Sequence, residues 1–72
     1  MDTDSLTEIV ARNVAKAMRA AGENPSSVAL GTGIHRTTLT RKLTGKADFK
    51  TTELERIAHH LHTTPAAFMV AA

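Results

Sequence analysis

Five basic side chains lie between Arg36 and Lys50, a segment that contains one acidic residue. The rest of the 72-residue chain carries four basic and six acidic residues, so the formal net charge of +2 conceals a local concentration of positive charge. Such a concentration is typical of a surface that binds a polyanion. A solvated helix face with chance clustering of lysine and arginine would give the same pattern.

The helix predicted from about residue 35 to 44 arranges this charge on one side. At about 100° per residue, Leu39 and Leu43 fall together. A polar row lies roughly 110° away by the same count, and it consists of Arg36, Thr37, Thr40, Arg41 and Thr44. Lys42 and Thr38 lie outside both groups. The leucines predict the docking side of this helix, and the polar row predicts a side that is presented to a partner.

Arginine and threonine are suited to contacts with base-pair edges in a DNA groove. A guanidinium can donate two hydrogen bonds to O6 and N7 of guanine, and the threonine methyl group can pack on the methyl group of thymine. Lysines, hydroxyls and helix N-terminal amides bind phosphates. Each residue type also has a simpler explanation: exposed arginines are often only solvated, loop lysines such as Lys46 and Lys50 often only increase solubility, and threonines can cap helices.

The histidines do not predict a metal site. His59 and His62 are three residues apart with His60 between them, but zinc normally needs a third or fourth ligand and the chain has no cysteine. His35 could join them only if the fold brought it close. We therefore expect no metal and no cofactor, and a pH-sensitive surface is the alternative use of these histidines.

Catalysis has even less support in the sequence. There is no cysteine nucleophile, no glycine-rich phosphate loop with lysine and serine, and no pair of carboxylates in an obvious cleft. Gly31-Thr32-Gly33 has the spacing of a turn rather than of a nucleotide cradle. We expect that the protein is not an enzyme, and no small-molecule ligand is evident.

Length and composition predict one soluble cytoplasmic domain that spans residues 1–72. The chain is too short for a second core, and the lack of cysteine excludes disulfides and fits a reducing compartment. No apolar run approaches a membrane span, and the acidic start from Met1 to Asp4 is unlike a secretory signal. Two phenylalanines, with no tyrosine or tryptophan, argue for an aliphatic core and against the aromatic platforms of common single-strand and RNA-binding modules.

Local signals predict an all-α chain of five short helices. The first begins near Asp4 or Ser5, because Ser5 and Glu8 have the spacing of a capping box, and it ends at Gly22. Its apolar stripe consists of Leu6, Ile9, Val10, Val14, Ala17 and Met18. In the second helix, Pro25 takes the first helical position after an Asn24 N-cap.

The remaining helices are predicted from breakers and apolar spacing. Gly31 and Gly33 interrupt the second helix soon after it starts, and Gly45 ends the third. The next loop carries Phe49 as its apolar anchor. The fourth helix has an apolar stripe of Leu54, Ile57, Ala58 and Leu61, and a final turn or short helix begins at Thr64-Pro65.

The order of these elements resembles the phage-repressor and Cro-type (XRE-like) helix-turn-helix family over nearly the whole chain, with the motif at about residues 25–45. Ala29 stands where the family needs a small residue between the two helices, with Val28 at the inward position before it. Gly33 occupies the turn position that favours glycine, and apolar Ile34 follows. The stretch 39–45, followed by 53–58 and Leu61, resembles a common branch of the family.

Four residues at three places in the motif depart from the family pattern. Pro25 and Ser26 occupy the region where the family often has a glutamine that contacts the DNA backbone. Lys42 stands at a usually apolar position, which predicts a slightly rotated third helix with Leu43 as the inward anchor. His35 replaces the usual small N-cap residue.

The resemblance implies a compact five-helix lambda-repressor-like domain that binds double-stranded DNA. Its base-reading positions match Arg36, Thr37 and Arg41. The candidates for contacts with the DNA backbone are Ser26, Ser27, Thr40, Lys42, Thr44, Lys46 and Lys50. The implied role is a prokaryotic or phage-encoded transcriptional regulator that occupies an operator.

A monomer of this size reads few base pairs, so we expect a homodimer on a palindromic operator. Phe68, Met69 and Val70 are candidate dimer contacts, and simple packing onto the first helix is the alternative for them. Two other functions stay open: a helical protein-interaction module such as an antitoxin-like partner, and a non-specific DNA binder. The exposed row favours DNA over protein, because it is basic and lacks an apolar anchor.

Overall fold

A computed structural model describes residues 5–70, and within that range the chain is all helical. Its four α-helices are α1 (Leu6–Ala20), α2 (Pro25–Thr32), α3 (Arg36–Leu43) and α4 (Thr51–His60). The fifth element is a single 3-10 turn at Pro65–Phe68, so the count of five helices is wrong, whereas the alternative of a final turn after Thr64 agrees with the structure. Its amides bond three residues back, as in the 3.0 Å bond from the Met69 amide to the Ala66 carbonyl, and four residues allow no more than this one turn.

The start of α1 is fixed by the predicted capping box. The amide of Glu8 donates to the Ser5 hydroxyl at 3.2 Å, and the Ser5 amide donates to the Glu8 carboxylate at 3.2 Å. The alternative start at Asp4 lies outside the described residues, as does the rest of the acidic segment 1–4. Leu6 is wrongly placed in the predicted apolar stripe, since it is 59% exposed, whereas Ala11 is buried.

The structure corrects the predicted end of α2. Asn24 caps the helix as expected, by accepting a 2.9 Å hydrogen bond from the Ser27 amide. Gly31 does not interrupt α2, because the helix continues through it to Thr32. Gly33 ends the helix at φ 77°, a left-handed conformation that costs glycine little.

Every element contributes to a single core, which is aliphatic except for Phe68 and the half-buried Phe49 and contains one methionine, Met18. The five largest of the fully buried side chains come one from each element, and they are Val14, Val28, Leu39, Ile57 and Phe68. The described helices include none that is both long and apolar enough to cross a membrane. The core therefore lies where α1 to α4 and the 3-10 turn meet, and the buried side of α3 packs against it.

Two polar contacts close this core at its edges. Asn13 on α1 donates to the carbonyls of Phe68 at 2.9 Å and Val70 at 2.7 Å, which holds the last described residues against α1. The hydroxyl of Thr7 donates to Asp48 in the loop between α3 and α4. The neighbouring Phe49 is half-buried against the core, as predicted for the anchor of that loop.

Candidate nucleic-acid interface

The turn between α2 and α3 sets the angle at which α3 is presented. The Gly33 amide donates to the Ala29 carbonyl at 3.0 Å, and the Thr32 hydroxyl donates to the Val28 carbonyl at 2.7 Å. The same hydroxyl accepts a 3.3 Å hydrogen bond from the amide of Ile34, whose side chain is buried. The turn is thus held both by its backbone and by the core.

The outer side of α3 carries the predicted reading residues. Arg36, Thr37 and Arg41 are all exposed, and Thr40 is exposed between them. These four side chains line one shallow depression on the surface. The fold therefore places guanidinium and hydroxyl donors side by side on the surface of α3, where they are exposed.

Lys42 is not a surface phosphate ligand, contrary to the sequence prediction. Its side chain is buried, and its ammonium lies 2.6 Å from Oε1 of Glu53 on α4. The aliphatic stem of lysine can occupy an apolar position while its head group is paired. This explains how lysine fills a position that the motif usually gives to an apolar residue.

The burial of Lys42 also corrects the predicted anchor of α3. Leu39 is completely buried and Lys42 is nearly so, whereas Leu43 is only half-buried. The docking side of α3 is therefore centred between Leu39 and Lys42 rather than on Leu43. By the count of about 100° per residue, this turns the Arg/Thr row to nearly the opposite side of the helix.

Glu53 connects α3 to the start of α4. Its Oε1 accepts hydrogen bonds from Lys42 and, at 2.7 Å, from the Lys50 amide. Burial by itself raises the pKa of Glu53, but the hydrogen bonds and positive charges of Lys42 and Lys50 outweigh burial and hold the pKa below its ordinary value. Glu53 is therefore ionised at neutral pH and keeps α3 docked.

The other candidates for backbone contacts divide into two groups. Ser26, Lys46 and Lys50 are exposed, like Thr40. Two hydroxyl groups are instead used within the protein. That of Ser27 donates to Glu23 at 2.7 Å, and that of Thr44 donates to the Arg41 carbonyl at 2.9 Å. Ser26 and the two loop lysines therefore remain, with Thr40, the exposed candidates for phosphate contacts.

The histidines lie away from α3, apart from His35 at its N-terminus. His60 pairs with Glu23 at 3.0 Å, which joins the end of α4 to the residue before the α2 cap. No group of three or more histidine or acidic side chains with the geometry of a metal site occurs among residues 5–70.

The family model of the Cro/C1-type HTH DNA-binding domain matches residues 13–71. The chain belongs to this family. The match includes the whole α2–turn–α3 unit, α4, the 3-10 turn and the second half of α1. No curated protein and no solved structure matches the chain.

The sequence did not reveal the long-range polar contacts of this Cro/C1-type domain, and three of them join its helices or its last described residues. They are those of Glu53 with Lys42, of Asn13 with the last described residues, and of His60 with Glu23. Their partners are 11, 55 and 37 residues apart. Helical spacing carries no signal at such separations, so only the fold brings these side chains together.

Proposed function

We propose that this Cro/C1-type domain is a sequence-specific transcriptional regulator that inserts α3 into the major groove of double-stranded DNA. The observation that carries the proposal is the exposed row of Arg36, Thr37, Thr40 and Arg41, opposite the buried side of α3. Arg36, Thr37 and Arg41 read base edges in this proposal. By occupying an operator, the protein blocks or alters access of the polymerase in the cytoplasm; no catalytic step is involved.

Backbone contacts orient the domain on the duplex. Ser26 near the start of α2, Thr40 on α3 and the loop lysines Lys46 and Lys50 supply them. Each neutralised phosphate releases counterions, so affinity falls steeply with salt concentration. This sequence-independent attraction holds the domain in register while α3 reads the bases.

A homodimer on a palindromic operator completes the proposal, because a single α3 spans few base pairs. Phe68 is unsuited to this role, since its side chain is 1% exposed and belongs to the core. Met69 and Val70 are 44% and 63% exposed, and Met69 shares a groove with the exposed Leu6. These apolar side chains are the candidate contacts between the two copies.

A protein-interaction module is the second candidate, and one observation favours it. Leu30 on α2 is 89% exposed, although α2 packs against both α3 and α4. A single exposed leucine is common on protein surfaces, whereas the basic row is contiguous. DNA is therefore the better supported partner.

Selection of binding sites from a random duplex pool, followed by titration of the selected site, tests these alternatives. We expect a preferred site, and weaker, more salt-dependent binding to unrelated duplexes. Arg41→Ala should cost about 1–3 kcal/mol on the selected site and relax base preference. As a matched control, Lys46→Ala should weaken binding to all sequences alike and reduce the salt slope by about one.

The outcomes separate the candidates clearly. Salt-dependent binding without a preferred site would indicate a non-specific DNA binder. Absence of binding at low salt would exclude both DNA functions and leave the protein-interaction module. Unchanged base preference in the Arg41 variant would refute its role as a reader.

A further inference from the structure

One hydrogen-bonded chain joins α2 to the end of α4. Oε1 of Glu23 accepts from the Ser27 hydroxyl at 2.7 Å and lies 3.0 Å from Nε2 of His60. Glu23 precedes the α2 cap, and His60 is the last residue of α4. Both side chains are one-quarter exposed, so the contact is partly shielded from water.

The imidazole ring of His60 also lies against the backbone of α2. A Cβ atom on Gly31 would stand 2.3 Å from Cε1 and 2.5 Å from Nδ1 of that ring, far inside van der Waals contact. Because Ser27 and Gly31 are four residues apart, they lie on the same face of α2. The His60 ring thus packs directly on this face at Gly31. Through Glu23, His60 is also linked to Ser27 on the same face.

We propose that His60 and Glu23 form a positioning pair that fixes α2 against α4, and thereby fixes α3 for DNA binding. The link to α3 is the turn at Gly33, which follows Gly31 by two residues and is itself hydrogen-bonded to α2. A shift of α2 therefore moves the start of α3. This inference rests on the proposed DNA-binding function, but the pairing itself can be tested without DNA.

Glu23 supplies a negative charge to this contact. Hydrogen bonds from His60 and Ser27 hold the pKa of Glu23 below its ordinary value, so its carboxylate is ionised at neutral pH. Helix α2 carries no charged residue. From α4, the groove beside His60 is lined by Glu55, Arg56 and His59.

The test compares His60→Ala, Gly31→Ala and the double variant, with His59→Ala as a control from the same groove. Each variant is titrated with the selected duplex and unfolded in urea. An added methyl on Gly31 should expel the His60 ring, so both single variants should weaken DNA binding by about three- to tenfold, the loss expected for one hydrogen bond. The double variant should be no weaker than His60→Ala, and His59→Ala should bind like the wild type.

Rescue by a conservative variant separates positioning from a merely structural role. In His60→Gln, the side-chain amide can still donate a hydrogen bond to Glu23. We therefore expect His60→Gln to bind the selected duplex more tightly than His60→Ala. Equal binding by the two variants would contradict the positioning role.

Other results would overturn the proposal in distinct ways. A His60→Ala variant that unfolds more easily but binds DNA normally would show a structural role only. Additive losses from Gly31→Ala and His60→Ala would show that the two residues act separately. If the wild type bound no DNA, the proposed function would fail, and the urea data would still test the contact. In that case Gly31→Ala should destabilise the wild type but stabilise the His60→Ala background, where alanine regains its helical advantage over glycine.

Discussion

The ion pair between Lys42 and Glu53 leads to an asymmetric prediction about stability. Glu53→Gln removes the carboxylate that faces an ammonium whose side chain is only 10% exposed. Loss of one partner of a buried pair leaves an unpaired charge and costs about 3 kcal/mol, the lower end of the usual range, because lysine can partly re-extend into water. For a domain of this size, that corresponds to a fall in Tm of roughly 12–24 °C.

Lys42→Met should be much milder. Methionine fills the buried position, and volume-conserving apolar replacements cost less than about 1.5 kcal/mol. The carboxylate of Glu53 keeps its 2.7 Å hydrogen bond from the Lys50 amide and lies in the first turn of α4, where the helix dipole favours a negative charge. The double variant should be close to Lys42→Met alone, because neither variant leaves an ammonium buried without a partner.

The assay is urea unfolding followed by far-ultraviolet circular dichroism, since the chain has no tryptophan or tyrosine to report by fluorescence. Glu55→Gln, on an exposed position of α4, is the matched control and should change little. Lowering the pH offers a second measurement. Because the pKa of Glu53 is lower in the folded protein than its ordinary value of 4.5, the ionised carboxylate stabilises the fold at pH values above 4.5. This stabilisation is lost as the pH falls through the lower pKa of the folded state.

The prediction is tested by comparing how much Lys42→Met and Glu53→Gln each lower the free energy of unfolding. If Lys42→Met cost as much as Glu53→Gln, burial of an unpaired lysine would not be the source of the effect. If neither variant changed the free energy of unfolding, the pair would not be holding α3 on α4. Either result would refute the explanation given for lysine at this position.

Three further predictions concern the elements that support α3, and each is checked by urea unfolding. Phe68→Ala should cost about 3–5 kcal/mol, because the ring is buried in the core and its turn packs against α1 and α4; a small effect would place the ring outside the core. Gly33→Ala should cost about 1–2 kcal/mol through backbone strain alone, since no atom lies within 4 Å of the added methyl; a neutral result would mean that the turn is not left-handed. Asn24→Ala should cost about 1 kcal/mol through loss of the α2 cap, and equal stability would contradict the capping bond.

Local signals in the sequence were enough to predict most of the helix ends. Capping residues act on amides within three positions, so Ser5 with Glu8 and Asn24 with Pro25 could be recognised without knowledge of the fold. The Arg/Thr row of α3 also followed from helical periodicity alone. Its exposure agrees with the prediction, whereas its contacts with DNA stay a prediction.

Contacts between residues far apart in the sequence explain why the predictions for Gly31 and Lys42 were wrong. Gly31 was expected to break α2, because nothing nearby reveals that the His60 ring requires a residue without a side chain there. Lys42 was expected to reach solvent, because its partner Glu53 belongs to another helix. Lysine is usually an exposed residue type. In the fold, however, the carboxylate of Glu53 lies at the edge of the apolar site and pairs with the Lys42 ammonium.

The most direct test of the central claim is a map of amide chemical-shift changes in the isotope-labelled protein as the selected duplex is added. The largest changes should fall on α3 at Arg36, Thr37 and Arg41, with smaller ones at Ser26 and Lys46. This pattern would support insertion of α3 into the groove. Changes centred on the exposed residues Leu6, Met69 and Val70, with α3 unaffected, would contradict it.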